Sequence, residues 1–388
     1  MPKFLIIGSH PEQLLNFRGD LIRHLQSRGH EVVTASPPGS PEVDQRFASW
    51  GVRRINLGMD RTGASILNDL RLLAEIRRLL LAEQPDAVLA YTIKPVIYGA
   101  LAARLAGRPA MLAMITGLGL AFSKATSFKP WVVRKFARTL YSWAMRFTDV
   151  VIFQNPDDEA DFRRSRLLRT HHKVERTNGS GVNLLRFPAV PMPAGPIRFL
   201  MVSRLLADKG VREYIAAAAV LRQSHPHVEC HLVGPFDPNP AGLSPGEIDA
   251  AVTGNTVVYH GFQRDVRPFL ATSHVYVLPS YREGTPRSVL EAMSTGRPVI
   301  TTDAPGCRET VLEGVNGFLV QPGAVEPLVS AMVRMIKMEP PALVAMAEAS
   351  RQMARQRFDV VAVNAQITEV LEQASLSAQV GQPTTRTT

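Results

Sequence analysis

Acidic residues are missing from one long stretch of this sequence. Between Ala87 and Thr148 there is no Asp or Glu, while Lys94, Arg104, Arg108, Lys124, Lys129, Arg134, Lys135, Arg138 and Arg146 all fall there. Cysteine is scarce. Cys230 and Cys307 match no metal-ligand spacing and imply no disulfide framework, which fits a reducing compartment. No run of about 20 apolar residues occurs, so no membrane-spanning helix is expected. Met1 to Gly8 reads as a short apolar strand rather than a leader. No Gly-x-Gly-x-x-Gly follows a strand-like run, which disfavours a dinucleotide oxidoreductase. The absence of Gly-x-x-x-x-Gly-Lys-Ser/Thr argues against a P-loop NTPase. No Asp-x-Asp stands in a loop suited to a metal. Asp157, Asp158 and Glu159 read as a helix N-terminus, and His171-His172 as a solvent-exposed pair rather than ligands.

What is present is ordinary for a globular protein: 45% hydrophobic and 20% charged residues. The 388 residues are enough for two domains. The net charge of +10 favours an anionic partner, whether nucleic acid, acidic lipid or a phosphorylated substrate. The acid-free stretch places that partner on the first half of the chain.

Short apolar runs alternate with amphipathic segments. Phe4–Gly8, Glu31–Ala35, Ala87–Tyr91, Met111–Thr116 and Asp149–Gln154 read as strands, with helices over Asn16–Arg28 and Leu67–Glu83. Continuous apolar strands between helices predict parallel sheets covered on both faces. Phe187–Pro196 holds four prolines, Pro188, Pro191, Pro193 and Pro196, and reads as a domain boundary. Strands are then expected at Ile197–Val202, Val228–Val233, Thr256–His260, Val275–Pro279 and Pro298–Thr302. The fold class is α/β: two doubly wound, Rossmann-like domains facing across a cleft, over residues 1–190 and 191–355. A helix over 356–375 is expected to return to the first domain, with a disordered tail over 376–388. Ligands of such sheets bind at the carboxyl ends of the strands.

Three segments stand out. Glu283-Gly-Thr-Pro-Arg-Ser-Val-Leu-Glu291 follows a strand. Thr285 suits an N-cap and Pro286 the first helical position, so free N–H groups there suit a diphosphate. Glu283 and Glu291 would repel that diphosphate and are better matched to hydroxyls. An ordinary capped helix with solvated glutamates explains the same letters. Arg204 and Lys209, on one loop after a buried strand, can neutralise a diphosphate leaving group, or be two solvated cations. In Phe122–Phe147, Val132, Phe136, Leu140, Trp143 and Phe147 recur at helical spacing, with Arg134, Arg138 and Arg146 on another face. Such a helix either lies in a membrane interface or packs on the sheet with a basic outer face.

Taken together, these residues resemble the family 4, group 1 type, retaining glycosyltransferases of GT-B fold. The resemblance is carried by the carboxylate pair, the Arg204/Lys209 loop, Gly234-Pro235, His260-Gly261-Phe262, Tyr281-Arg282-Glu283-Gly284 and Asp303-Ala-Pro-Gly-Cys-Arg-Glu309. Asn178-Gly-Ser-Gly-Val-Asn183 is similar to the family's Gly-x-Gly-Val-Asp turn, with Asn183 in place of Asp. Asn16-Phe17-Arg18, Tyr91-Thr-Ile-Lys94-Pro95 and Thr116-Gly117-Leu118-Gly119 look like members that extend polyprenyl-diphosphate-linked sugars in bacterial N-glycan and capsule assembly.

That resemblance implies a catalytic set of Glu283, Lys209 and Arg204. The donor site would comprise Arg204, Lys209, Gly234, Phe262, Glu283, Gly284, Thr285, Pro286, Arg287, Ser288 and Glu291, with Glu291 on the ribose and Glu283 on sugar hydroxyls. Asn16, Arg18, Lys94, Thr116 and Gly117 would form the acceptor side. Thr116 stands where many relatives carry a histidine near the donor sugar. The implied reaction moves a hexose or N-acetylhexosamine from a UDP-sugar to a polyprenyl-diphosphate-linked saccharide. It needs no cofactor or metal and takes place in the cytoplasm, on the inner face of the cell membrane, against an anionic lipid surface and without nucleic acid. Three alternatives remain: a GDP- or other nucleotide-sugar donor with a soluble or lipid acceptor, a GT-B epimerase, and a non-catalytic peripheral membrane protein.

Overall fold

The computed structural model describes residues 1–60, 65–107, 109–117 and 138–380. The chain divides into two compact units. The first is Met1–Ser180 with Ala362–Thr388, and the second is Gly181–Val361. Each is described by itself.

In the first unit the strands are β1 (Lys3–Ile7), β2 (Glu31–Ser36), β3 (Arg53–Asn56), β4 (Ala87–Tyr91), β5 (Ala110–Ile115), β6 (Val150–Phe153) and β7 (Lys173–Arg176). They form one parallel sheet in the order β3-β2-β1-β4-β5-β6-β7. The order reverses between β1 and β4, so the loops after those two strands diverge and leave a crevice. The central strands are the apolar runs legible in the sequence. The edges β3 and β7 are not legible there, because Arg-Arg-Ile-Asn and Lys-Val-Glu-Arg carry charge where a buried strand carries Val or Leu. An edge strand meets solvent along one side, and charge there blocks pairing with another chain.

Helices cover both faces. On one lie α1 (Pro11–Ser27) and α2 (Pro41–Ser49); on the other lie α3 (Ile66–Glu83) and α4 (Ile93–Leu105), residues 138–145 and α5 (Pro156–Arg164). Helix α1 starts at Pro11, a turn before the expected Asn16, because proline suits the first helical turn. Asn155 accepts from Asp158 N at 2.8 Å and caps α5, so the cap falls on Asn155 rather than on the aspartates, and Asp157, Asp158 and Glu159 stand in the helix's first turn. His172 differs from expectation. It is buried, its Nδ1 accepts from Arg169 N at 2.9 Å, and its Nε2 lies 2.7 Å from Met145 O. Two adjacent histidines looked alike in sequence, and only one faces solvent.

The second unit repeats the pattern with β8 (Arg198–Val202), α6 (Val211–Ser224), β9 (Glu229–Val233), α7 (Pro245–Thr253), β10 (Val258–Tyr259), α8 (Arg267–Thr272), β11 (Val275–Leu278), α9 (Arg287–Thr295), β12 (Val299–Thr302), β13 (Gly317–Val320), α10 (Val325–Ile336) and α11 (Pro340–Arg357). The parallel order is β10-β9-β8-β11-β12-β13, reversing between β8 and β11. The Pro-rich segment, expected as the boundary, belongs to this unit. Ser294 Oγ donates to Phe187 O at 2.6 Å, and Val190 N donates to Thr295 O at 3.1 Å. The fully buried Arg297 donates to the Val190 and Pro191 carbonyls at 3.0 and 3.1 Å. Prolines cannot donate, but the carbonyls of a Pro-rich strap can accept, and a buried guanidinium satisfies them.

The last helix, α12 (Val360–Val380), packs Val363, Ile367, Val370 and Leu371 into the core that holds Phe4, Ile6, Leu21 and Ile22. Residues 376–380, expected in the tail, continue this helix. Extending a nucleated helix over Ala, Ser and Gln costs little. Residues 381–388 lie outside the described residues, as do 122–137 of the basic stretch, with Val132, Arg134 and Phe136, and Leu118 and Gly119. No helix among the described residues is long and apolar enough to cross a membrane.

Candidate active site

The loops after β8 and β11 meet at the reversal point of the second unit. The first carries Arg204 and a short 3-10 turn over Ala207–Lys209, closed by Gly210. The second carries Ser280 to Pro286. The two loops are locked together: Tyr281 N donates to Asp208 O at 2.9 Å, and Ser280 Oγ lies 3.1 Å from the same carbonyl. A third loop, after β12, holds the second from beyond. Glu283 N donates to Pro305 O at 2.9 Å. A Cβ on Gly306 would lie 2.2 Å from Glu283 O, and its φ is +81°, so only glycine fits.

Lys209 and Glu283 come together as an ion pair, Nζ to Oε1 at 2.6 Å, with side chains 16% and 15% exposed. Ser280 Oγ donates to the same carboxylate oxygen at 2.8 Å. Burial works to lower the Lys209 pKa, but the Glu283 charge outweighs it and holds the ammonium above its ordinary value. Arg204 stands close enough to act against that rise. Arg204 itself pairs with Asp237 on the loop after β9. In sequence the two cations were set apart from the carboxylates; in the fold each cation has one. Asp237 was missed, although it follows the Gly234-Pro235 turn by two residues. Gly234 is required by close approach, since a Cβ there would lie 1.7 Å from Ser203 O. Its N–H donates to Gly261 O at 2.9 Å, which places the exposed Phe262 on the neighbouring loop.

The helix register differs by one from expectation. Helix α9 begins at Arg287 with Pro286 at the N-cap, and the Thr285 hydroxyl donates to Gly284 O at 3.0 Å instead of capping. Glu291 is therefore one turn into the helix, where Arg287 Nε meets Oε1 at 3.1 Å. Burial raises the Glu291 pKa, opposed by Arg287 and Arg186. Ser288 reaches the buried Tyr276 hydroxyl, which donates to Val202 O at 3.0 Å, tying α9 to β11 and β8. Cys307 lies beneath this site, 4.0 Å from Ser280 O. Burial, together with the Glu283 charge, pushes its thiol up to about 12, so it stays protonated and inert.

Asn183 holds the turn the sequence assigned to it, accepting from Leu185 N and Arg186 N at 3.1 and 3.0 Å. An amide oxygen does here what a carboxylate would. The turn stands at the start of the second unit rather than within the first.

The residues assigned to the acceptor lie on the first unit. Asn16 is exposed on α1. Arg18, two residues on, is 2% exposed, with Nη1 3.2 Å from Ser180 Oγ and its guanidinium over the Tyr91 ring at 5.1 Å. Lys94, at the start of α4, pairs with Asp69 at 2.9 Å. Thr116 and Gly117 line a cavity of about 10 Å³ with Thr92, Ile93, Met114, Ile115 and Tyr141, room for about one water. Among the described residues no group of three or more His, Cys, Asp and Glu is arranged to hold a metal ion.

Comparison with known proteins agrees with the α/β fold of the two units. Residues 196–338 match the model of the group 1 glycosyl transferases, and residues 17–175 that of the glycosyl transferase 4-like domain. Over 319 residues the chain is 28% identical to the N,N'-diacetylbacillosaminyl-diphospho-undecaprenol alpha-1,3-N-acetylgalactosaminyltransferase of Campylobacter jejuni, covering 79% of this chain and 81% of that one. It is 27% identical over 288 residues to an Escherichia coli UDP-Gal:alpha-D-GlcNAc-diphosphoundecaprenol alpha-1,3-galactosyltransferase, covering 70% and 71%. Among solved structures, sucrose-phosphate synthase from Thermosynechococcus elongatus superposes with a TM-score of 0.80 at 20% identity, over 97% of this chain and 100% of that one. Anabaena HepE in complex with UDP gives 0.75 at 23%, over 96% and 100%. These neighbours have the GT-B fold.

Proposed function

This chain belongs to the group 1 glycosyltransferases, and from that premise we propose that it moves a hexose or N-acetylhexosamine from a UDP-sugar to a polyprenyl-diphosphate-linked saccharide, with retention, in surface-polysaccharide or glycan assembly. The observation that carries this reading is the Lys209–Glu283 pair with Arg204 beside it at the reversal point of the second sheet. When the bond between the sugar's anomeric carbon and the diphosphate breaks, negative charge builds on the departing oxygen. Lys209 and Arg204 are the groups that stabilise it. The acceptor oxygen bonds to the anomeric carbon on the same face, and its proton passes to the departing diphosphate. Glu283 holds Lys209 in place and takes a sugar hydroxyl; Glu291 takes the ribose. Two cations already in position do the work of a divalent metal. The acceptors named for the Campylobacter and Escherichia relatives support a lipid-linked diphosphate.

A membrane surface fits the outer face of α3. Leu67, Leu70 and Leu81 are exposed there, flanked by exposed Arg71, Arg77 and Arg78. In the described part of the basic stretch, the Arg146 guanidinium stands 5.7 Å over the exposed Trp143 ring. Such a face inserts leucine and places arginine at anionic headgroups. One experiment tests the whole reading. The protein is incubated in EDTA with a panel of UDP- and GDP-sugars and a polyprenyl-diphosphate-saccharide in anionic vesicles, which are then floated. Transfer from one UDP-sugar and co-flotation at low salt are expected. Transfer that stops with EDTA, or from GDP-sugars alone, would sink the metal-free or the UDP assignment respectively; protein left at the bottom of the gradient would remove the membrane.

Glu291 offers a second test. Its folded pKa is raised, so its contribution to stability is present below about 4.5 and lost as pH rises through the folded value. At neutral pH the buried charge costs stability that a bound ribose would offset. Glu291→Gln is expected to raise the melting temperature of the ligand-free protein by a few degrees while weakening nucleotide-sugar binding about tenfold. A lower melting temperature with unchanged binding contradicts the assignment.

A further inference from the structure

The first unit has its own reversal point, between β1 and β4, and three unusual features converge there. Tyr91, the last residue of β4, is 2% exposed, and its hydroxyl has no hydrogen-bond partner among the described residues. That hydroxyl is aimed at the end of β1: a Cβ on Gly8 would lie 2.2 Å from it, so glycine is what leaves it room. Thr92, the next residue, has φ 69° and ψ 162°, a backbone region that is essentially confined to glycine. Its hydroxyl lies 2.9 Å from Ser9 Oγ, joining the loops after β1 and β4. The Arg18 guanidinium lies over the Tyr91 ring, 5.1 Å from its centroid.

A buried hydroxyl left without a partner costs stability, and so does a threonine held in a glycine conformation. Natural proteins keep such costs where a ligand removes them. The nearby Lys94 is already balanced by Asp69 at 2.9 Å. The start of α4 follows Thr92 directly, and a helix N-terminus favours negative charge. Resting on the acceptor class just proposed, we infer that Gly8, Ser9, Tyr91 and Thr92, over Arg18, form an anion subsite that takes the diphosphate of the lipid-linked acceptor, with the Tyr91 hydroxyl donating to a phosphate oxygen. The loop must open slightly at Gly8–Ser9 to admit it, which the absent side chain of Gly8 permits.

Tyr91→Phe tests this cleanly, because removing an orphan hydroxyl does not disturb packing. Binding of farnesyl diphosphate and of inorganic diphosphate is measured by calorimetry on the full-length wild type and on Tyr91→Phe, each with and without saturating UDP, together with melting temperature. Farnesyl diphosphate should bind Tyr91→Phe about tenfold more weakly than the wild type, with or without UDP, and Tyr91→Phe should melt no lower than the wild type. The KM for the lipid acceptor should rise about tenfold with the donor KM unmoved. Equal affinity of wild type and Tyr91→Phe overturns the subsite, as does loss of farnesyl diphosphate binding once UDP is present. Inorganic diphosphate binding as tightly as farnesyl diphosphate overturns the lipid-linked occupant. If no sugar in the panel is transferred but the farnesyl diphosphate difference persists, the subsite stands and the proposed reaction fails.

Discussion

Replacing Lys209 with alanine should lower kcat about a thousandfold, the size of effect seen when one preorganised donor to a developing negative charge is removed. Sequence alone suggests only a modest loss of folding. The structure alters that expectation. Lys209 Nζ is 2.6 Å from Glu283 Oε1, and both side chains are mostly buried. Removing the lysine leaves a carboxylate with its charge uncompensated, at a cost on the order of 3 kcal/mol. Activity could therefore fall through instability rather than chemistry. The double variant Lys209→Met with Glu283→Gln separates the two. It removes both charges, and Ser280 Oγ still has an amide oxygen to meet. We expect its urea midpoint to return close to the wild type while kcat stays down about a thousandfold. Recovery of turnover along with stability would show that Lys209 serves the fold alone.

Deleting α12 is expected to unfold the first unit. Val363, Ile367, Val370 and Leu371 are all buried, against β1 and α1 residues among others. At about 1.5–3 kcal/mol each, their burial is worth roughly 6–12 kcal/mol, comparable to the whole stability of about 5–15 kcal/mol of a typical domain. Polar contacts add to this: Glu372 meets His30 at 2.7 Å and Arg28 at 3.1 Å, and Gln366 Nε2 donates to Arg176 O at 2.9 Å. A chain ending at Val361 keeps the bonds of the second unit, in which Val182 N donates to Phe358 O and Val360 N to Val182 O. Trp50, Trp131 and Trp143, the three tryptophans of the chain, all lie within its first 180 residues. Tryptophan emission therefore reports the first unit alone. The truncated protein should emit as an unfolded chain without urea, while far-UV circular dichroism retains the cooperative transition of the second unit. Native emission in the truncated chain would mean that the first unit needs no helix from beyond Val361. Ile367→Ala, milder, should cost about 2–5 kcal/mol on the same signal.

The sequence by itself determined the class of each half and singled out the charged residues of the proposed donor side. Apolar strands such as Ala87–Tyr91 and Val275–Leu278 are legible because a parallel sheet buries both faces and leaves no polar alternation. Arg204, Lys209, Glu283 and Glu291 are legible because charged residues directly after a buried strand stand where ligands of such sheets bind. Edge strands were not, since Arg53–Asn56 and Lys173–Arg176 owe their conformation to a neighbour's free backbone groups rather than to their own side chains. Pairing was not legible either. Nothing in the linear order says that Lys209 meets Glu283, that Arg204 meets Asp237, or that the prolines after Phe187 are strapped to Arg297. Those contacts join residues 33 to 107 positions apart, and their geometry is decided by sheet order and loop length. The Tyr91 hydroxyl is the sharpest case. As a letter it is one more aromatic at the end of a strand. Only the packing of β4 beside β1 leaves it buried, unpartnered and aimed at Gly8.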